Sequence, residues 1–443
     1  MSTILIKNGI IATLGERGEV LYDHALLIED QVIKKIGRND EFTGQYDQVI
    51  DARNKLVLPG FINAHMHFYS TFARGLGKAK PAKNFQEVLD NLWWRLDKQL
   101  TLDDSYYSAL LPLIDGIKRG TTTFIDHHAS PNHITGSLDQ IAKAVKQSGL
   151  RASLCYELSD RDGEKIAREG IEENVAFIKR CQAEKDDQLK AMFGLHASFT
   201  IEDKTLEQAA ELGNSLSSGF HVHTAEAASD EEYNCKHFGI RVVERFKKYK
   251  ILGPRTILVH CVHIDDNELD LIKESDSIVV HNPQSNMNNA VGVMDLLKFS
   301  NKGVLVGLGT DAMTVNMLEE LRSCMWAHHL SQEDPNCAFM EVANTLLVNN
   351  ARIADRYWEG LGLGSLNEGH VADVILMDYC SPTPLDANSL FGHMIFGVSQ
   401  SFVDTTIASG KVLMQNKQLK IDVDEAEIAR KSLELSTELW ERF

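Results

Sequence analysis

The sequence lacks an excess of basic charge. Its 45 lysines and arginines face 63 aspartates and glutamates, for a net charge of −18 over 443 residues. A nucleic-acid partner requires a basic surface that displaces counterions, and an anionic membrane surface attracts the same sign of charge. Neither partner is expected here. No apolar run approaches the roughly 20 residues of a membrane span. The opening MSTILIKNGI has no basic region and no long apolar core, so no secretory signal is expected there. CxxC pairs are missing as well. The seven cysteines (Cys155, Cys181, Cys235, Cys261, Cys324, Cys337 and Cys380) are scattered singly and odd in number. Reduced thiols and a cytoplasmic location are the expectation. Low-complexity tracts are also lacking. What remains is ordinary for a globular enzyme: 43% hydrophobic and 24% charged residues, enough to bury a large core. The length calls for one large domain and a smaller one.

The two ends share a texture. ILIKNGIIATL, ALLIEDQVIKKIG and QVIDARNKLVLPG near the start read as short strands cut by Gly and Asn turns. HVADVILMD, FVDTTIASGKVLMQ and KQLKID near the end read the same way. Residues 1–58 plus 365–443 are therefore expected to form one small β domain. Residues 59–364 have another rhythm. Eight apolar runs recur: GFINAHMHF, TTTFIDHHA, RASLCYEL, KAMFGLHASF, GFHVHTAE, RTILVHC, SIVVHNPQSN and GVLVGLGTD. Between them lie helix-like stretches such as SYYSALLPLIDGIKRG, GIEENVAFIKRCQAEK and YNCKHFGIRVVERFKKY. Alternating strand and helix is the signature of a parallel sheet, and eight units predict an α/β fold with a closed (β/α)₈ barrel.

Most runs end in a polar or ionisable residue: His65 and His67, Asp126, Glu157, His196, His223, His260, Asn282 and Asp311. In such a barrel the C-terminal strand ends line the active site. His65 and His67 share one face of their strand. They can grip one divalent metal, or they can be two satisfied core histidines. His223 and Asp311 complete a set of three imidazoles and a carboxylate, which holds Zn²⁺ or Fe²⁺ with a position open for water. Such a metal lowers the pKa of that water to roughly 7. Asp311 can then accept a proton, Glu226 can carry protons to the ring nitrogen and leaving group, and His260 can orient the water. Plain alternatives exist for each. Asp311 can cap the helix begun by VNMLEELRSCMW, Glu226 can be a first-turn helix acid, and His260 a core residue. His221 shares a face with His223 and competes for its role. His127, His128, His133 and His328 read as structural or supporting. The loop GKAKPAKN, with Lys78, Lys80 and Lys83, reads as solvated or as a lid over a polar substrate group.

The motifs PGFINAHMHF, HVHTAE, LVHC, GLGTDAM and GLGSLNEGHVADVILMD together resemble the amidohydrolase superfamily, in its cytosine deaminase, guanine deaminase and triazine hydrolase branch. NLWWRLD, IDHHASP, NMNN and SPTPL bring the chain nearer to the aminohydrolases of bacterial purine-catabolic clusters. The resemblance implies a TIM barrel with a β-sandwich built from both chain ends. It implies one divalent metal, zinc before iron, and hydrolysis of a C–N bond in a small nitrogen heterocycle. His65, His67, His223 and Asp311 match the family's metal ligands. Glu226 and His260 match its proton-transfer pair, with Asp311 doubling as base, and His196 matches a substrate-contacting histidine. Two-metal members carry a bridging lysine at the end of the fourth strand. Here that strand ends in His196, and Lys190 lies at its start, which favours one metal.

Deamination with ammonia release is the leading expectation. Opening of a cyclic amide uses the same ligands, and dechlorination is chemically possible. A non-catalytic metal-binding protein on this scaffold would have no need of Asp311, Glu226 and His260, all of which are present. Arg74, Trp93, Trp94, Arg161 and Asn286 are expected around the substrate. A homodimer is the default for an enzyme of this size.

Overall fold

The structure, a computed structural model, describes residues 2–16 and 18–443. Each of the eight apolar runs becomes a barrel strand. In order these are Phe61–Met66, Thr121–His128, Arg151–Tyr156, Phe193–Ala197, Phe220–Thr224, Ile257–His260, Ile278–His281 and Val306–Leu308. Adjacent strands pair in parallel within two sheets, strands one to three in one and four to eight in the other. Two single bridges close the ring, Leu158 with Leu195 and Met66 with Asp311. The second bridge brings the two ends of the metal-type sequence pattern, residues 65–67 and residue 311, side by side.

The intervening stretches form the outer helices for local reasons. Leu102–Arg119 starts with a capping box in which the Thr101 hydroxyl accepts from the Asp104 N–H and the Asp104 carboxylate accepts from the Thr101 N–H. It stops at Gly120, whose φ of 78° suits a residue without Cβ. The single helix suggested by YNCKHFGIRVVERFKKY is in fact two, Ala228–Phe238 and Val242–Lys248. Gly239, at φ 73°, ends the first, and Arg241 caps the second.

Strands from both ends build a sandwich beside the barrel. One sheet is N-terminal, from Thr3–Lys7, His24–Glu29, Val32–Arg38 and Gln48–Asp51. The other mixes the ends: Leu56–Pro59 pairs antiparallel with Val374–Met377, which pairs with Val403–Ala408. Ile4, Ile6, Leu26, Ile28, Val57, Val374 and Ile407 fill the space between the sheets. The last helix, Glu425–Arg442, packs on the barrel helix Leu102–Arg119. Its Leu435 and Leu439 bury against Tyr69, Phe72, Leu96 and Leu100, in the loop after the first barrel strand. Trp440 donates its indole N–H to the Phe72 carbonyl at 2.7 Å, and Arg442 pairs with Asp104 at 2.8 Å. This helix therefore braces the loop that walls the barrel mouth.

At the opposite end of the barrel, Trp358 is almost fully buried among residues that include Ile257, Ile278 and Leu305. Its indole N–H donates to the Asp187 carbonyl at 2.9 Å. Trp358→Ala is expected to destabilise the fold by about 3–5 kcal/mol, read as a lowered denaturant midpoint at unchanged slope. Among the described residues, no helix is long and apolar enough to cross a membrane.

Candidate active site

The strand-end residues meet at the barrel mouth. His65 comes from the first strand and His67 from just after it, His223 from the fifth, His260 from the sixth and Asp311 from just after the eighth. All five are buried. Each of the imidazoles of His65, His67 and His223 is held by its Nδ1. His65 Nδ1 bonds to His221 Nε2 at 2.8 Å. His67 Nδ1 donates to the His127 carbonyl at 2.6 Å, and His223 Nδ1 donates to the His196 carbonyl at 2.8 Å. The backbone carbonyls put a proton on Nδ1 of His67 and of His223, which leaves the Nε2 of each neutral ring as a lone pair.

Those lone pairs converge. His67 Nε2 and His223 Nε2 lie 3.2 Å apart, with no proton on either to join them. His67 Nε2 is 3.4 Å from Asp311 Oδ1, and His65 Nε2 is 3.9 Å from the same oxygen. His65 Nε2 has no hydrogen-bond partner among the described residues. Nitrogens bound at 2.0–2.1 Å to a tetrahedral zinc sit about 3.3–3.4 Å from one another. The donor set and its spacing fit a divalent cation. Burial, then the neighbouring imidazoles, hold His65 and His223 well below the usual histidine range, which favours their neutral forms.

A second group faces the same point. His260 Nε2 lies 3.3 Å from Glu226 Oε2 and 3.6 Å from Asp311 Oδ2. Its Nδ1 bonds to Asn286 Oδ1 at 2.8 Å, and Asn289 donates to Glu226 Oε1 at 3.2 Å. Burial, then the Asp311 charge, holds Glu226 well above the usual carboxylate range. His260 and Asp311 have φ of 73° and 51°, in the left-handed region that non-glycine residues avoid. Strain of this kind persists where surrounding contacts over-determine the backbone. Asp311 does not cap the following helix: Met317–Gln332 starts after Asn316. Glu226 likewise lies ahead of its helix, whose first-turn acids are Asp230 and Glu231.

The site opens into a cleft with about 640 Å³ of empty space, mouth included. Tyr69, Trp93, Trp94, Phe85 and Phe199 give it aromatic walls, and Glu157, His196, Asp97 and Asn289 give it polar ones. Burial pushes the Glu157 carboxyl up, but the imidazoles of His196 and His127 outweigh it and hold the group well below its usual range. Glu157 faces the cleft. It is bonded to His127 at 3.1 Å and lies 3.6 Å from His196 Nε2.

These features belong to a recognisable lineage. The Amidohydrolase family model matches residues 56–413. A 5'-deoxyadenosine deaminase of Methanobrevibacter smithii is 32% identical over 446 residues, covering 99% of both chains. The chain belongs to the amidohydrolase family. A 5-methylthioadenosine/S-adenosylhomocysteine deaminase of Syntrophomonas wolfei is 31% identical, over 98% of this chain and 99% of its own. A zinc-bound adenosine deaminase structure from Xanthomonas campestris shares the fold at a TM-score of 0.85 and 21% identity, covering 99% of this chain and 98% of that one.

Within this amidohydrolase barrel not every expected residue reaches the cleft. His196 and Trp93 line it, as does Trp94. Arg161 stands behind the wall. It pairs with Asp97, which faces the cleft, and covers the Trp94 ring at 5.3 Å. Burial pushes the Asp97 carboxyl up to about 6 against that guanidinium. Asn286 is fully buried and meets His260, so it orients rather than touches substrate. Arg74 is not brought to the site. The 3₁₀ turn Phe68–Ala73 swings it outward, where it faces Asp115 at 3.5 Å across an exposed surface. The lysine loop also stays away, since Lys78 donates to the Trp440 carbonyl at 2.7 Å, and neither Lys80 nor Lys83 lines the cleft.

His221 is one level deeper than His223 on the same strand and bonds to His65. Glu157, Asp97 and Asn289 were not among the expected site residues. Glu157 had a visible signal, its place at the end of the third run. Asn286→Ala is expected to lower kcat about 10–100-fold with little change in KM, because it frees the His260 ring without touching the cleft. Steady-state kinetics at matched metal content checks this.

Proposed function

We propose that the protein is a metal-dependent aminohydrolase that removes an exocyclic amine from a purine-like ring and releases ammonia. The observation that carries this is the convergence of the His65, His67 and His223 Nε2 atoms on the Asp311 carboxylate, with Glu226 and His260 beside it. We assign His65, His67, His223 and Asp311 as ligands of one ion, zinc before iron. Lys190, the one lysine of the fourth strand region, pairs with Asp187 at the far end, so nothing there bridges a second ion in the site. A divalent ion in this place supplies Lewis acidity and a water acidified to neutral pH.

The chain's own residues do the rest. Asp311 takes the proton released as water attacks the amine-bearing carbon. Glu226 holds a proton close to His260 and delivers it to the ring nitrogen. The proton taken by Asp311 passes to the amine, the C–N bond breaks to release ammonia, and the remaining hydroxyl proton returns to Glu226 as the carbonyl forms. His260, fixed by Asn286, orients the attacking oxygen and balances charge on the tetrahedral carbon. The aromatic walls stack a flat ring, Trp93 and His196 touch it, and Glu157 accepts from a ring or sugar donor. The relatives named for adenine nucleosides support a purine-like ring. The unpaired cysteines support a reducing, cytoplasmic setting.

The test is an ammonia-release assay over adenine nucleosides, free purines, pyrimidines and partly degraded purines. Ammonia equal to substrate consumed supports the proposal. New acid without ammonia assigns the site to cyclic-amide opening instead.

A further inference from the structure

Away from the catalytic centre, the interior gathers another set of metal-type donors. His281 ends the seventh barrel strand, and Cys324 and His328 lie one turn apart on the helix Met317–Gln332. An i, i+4 spacing puts the latter two on one helix face. One ligand atom from each of the three lies within 4.8 Å of the others. His281 and Cys324 are wholly buried, and His328 is 1% exposed. The two imidazole centroids are 5.4 Å apart.

Hydrogen-bond accounting separates this group from its neighbours. Neither ring nitrogen of His281 has a partner among the described residues, and neither does His328 Nε2. Burying an imidazole in that state is costly. The other deep histidine–cysteine group, His127, Cys155 and His221, has spent its donors and acceptors. His127 bonds to Glu157 and to the His221 carbonyl, His221 bonds to His65, and Cys155 donates to the Asp126 carbonyl. Of these two groups, the His281 group alone is left with ring nitrogens that have no partner among the described residues.

We propose that His281, Cys324 and His328 form a second, structural metal site that takes zinc. One sulfur and two imidazole nitrogens suit a borderline-soft ion, and zinc accepts that mixture. Binding displaces the Cys324 thiol proton to solvent and leaves a thiolate–metal bond. Glu320, one turn earlier on the same helix face and fully buried, has an unpartnered Oε2 and is the candidate fourth ligand. The ion ties the end of the seventh strand to the helix after the eighth. The chain that leaves His281 carries Asn286 and Asn289, which hold His260 and Glu226. The site therefore steadies the platform from which the proton-transfer pair is aimed.

Cobalt exchange into the whole protein tests this without relying on activity. The catalytic ligands include no sulfur, so a thiolate-to-cobalt charge-transfer band in the near ultraviolet reports on the second site alone. The band is expected in the wild type and absent from Cys324→Ser, while bound metal falls from about two to about one ion per chain. His328→Gln is expected to show the same loss. A wild-type cobalt protein without the band overturns the proposal, as does a band that survives Cys324→Ser. Failure of the catalytic metal reading would look different: one ion per chain with the band retained.

Discussion

Asp311→Asn is expected to lower kcat by about 10²–10⁴-fold or more, with the fold intact. Its carboxylate faces two ways. Oδ1 lies 3.4 Å from His67 Nε2 on the ligand side, and Oδ2 lies 3.6 Å from His260 Nε2 on the proton-transfer side. Asparagine keeps the shape but neither accepts a proton nor binds a cation as strongly. The structural duties of this residue are carried by its backbone. Its N–H donates to the His65 carbonyl at 3.0 Å, and its carbonyl accepts from the His67 N–H at 3.4 Å. Those bonds survive the change, so the thermal midpoint of the metal-loaded variant should stay close to wild type. Turnover measured by ammonia release, with bound metal counted in the same sample, checks the prediction. Full activity in Asp311→Asn would contradict the assigned chemistry.

Removal of metal is expected to have an effect as large. A chelator should take turnover to background, and zinc should restore it. The physical reason lies in the facing Nε2 atoms of His67 and His223. Each ring donates its Nδ1 proton to a backbone carbonyl, so the two Nε2 lone pairs repel one another 3.2 Å apart in a buried space. The ion relieves that repulsion, so the metal-loaded protein should also melt higher, by an amount that grows with zinc concentration. Undiminished turnover in protein shown to hold no metal would contradict the account.

Much of this was legible in the sequence because strands and their ends obey a simple rule. Eight apolar runs with polar last residues place those residues on one rim once the barrel closes. His65, His67, His223 and Asp311 were accessible by that logic, although 246 positions separate the first from the last. What was not legible depends on contacts between distant segments or on turns within loops. Asn289 meets Glu226 only because the short helix Pro283–Asn288 folds back over the mouth. Asp97 is placed by Arg161, 64 residues further on. The role of His221 needed a contact between distant segments: its Nε2 meets His65 Nδ1, 156 residues earlier, at 2.8 Å. Arg74 follows the right strand, but a turn carries it to the outer surface. The lysine loop is claimed by the C-terminal helix.

The most direct test is anomalous diffraction at the zinc absorption edge from crystals of active, zinc-loaded protein. The account predicts a peak about 2.0–2.2 Å from the Nε2 atoms of His65, His67 and His223 and from one Asp311 oxygen. An active crystal with no peak at that point would contradict it.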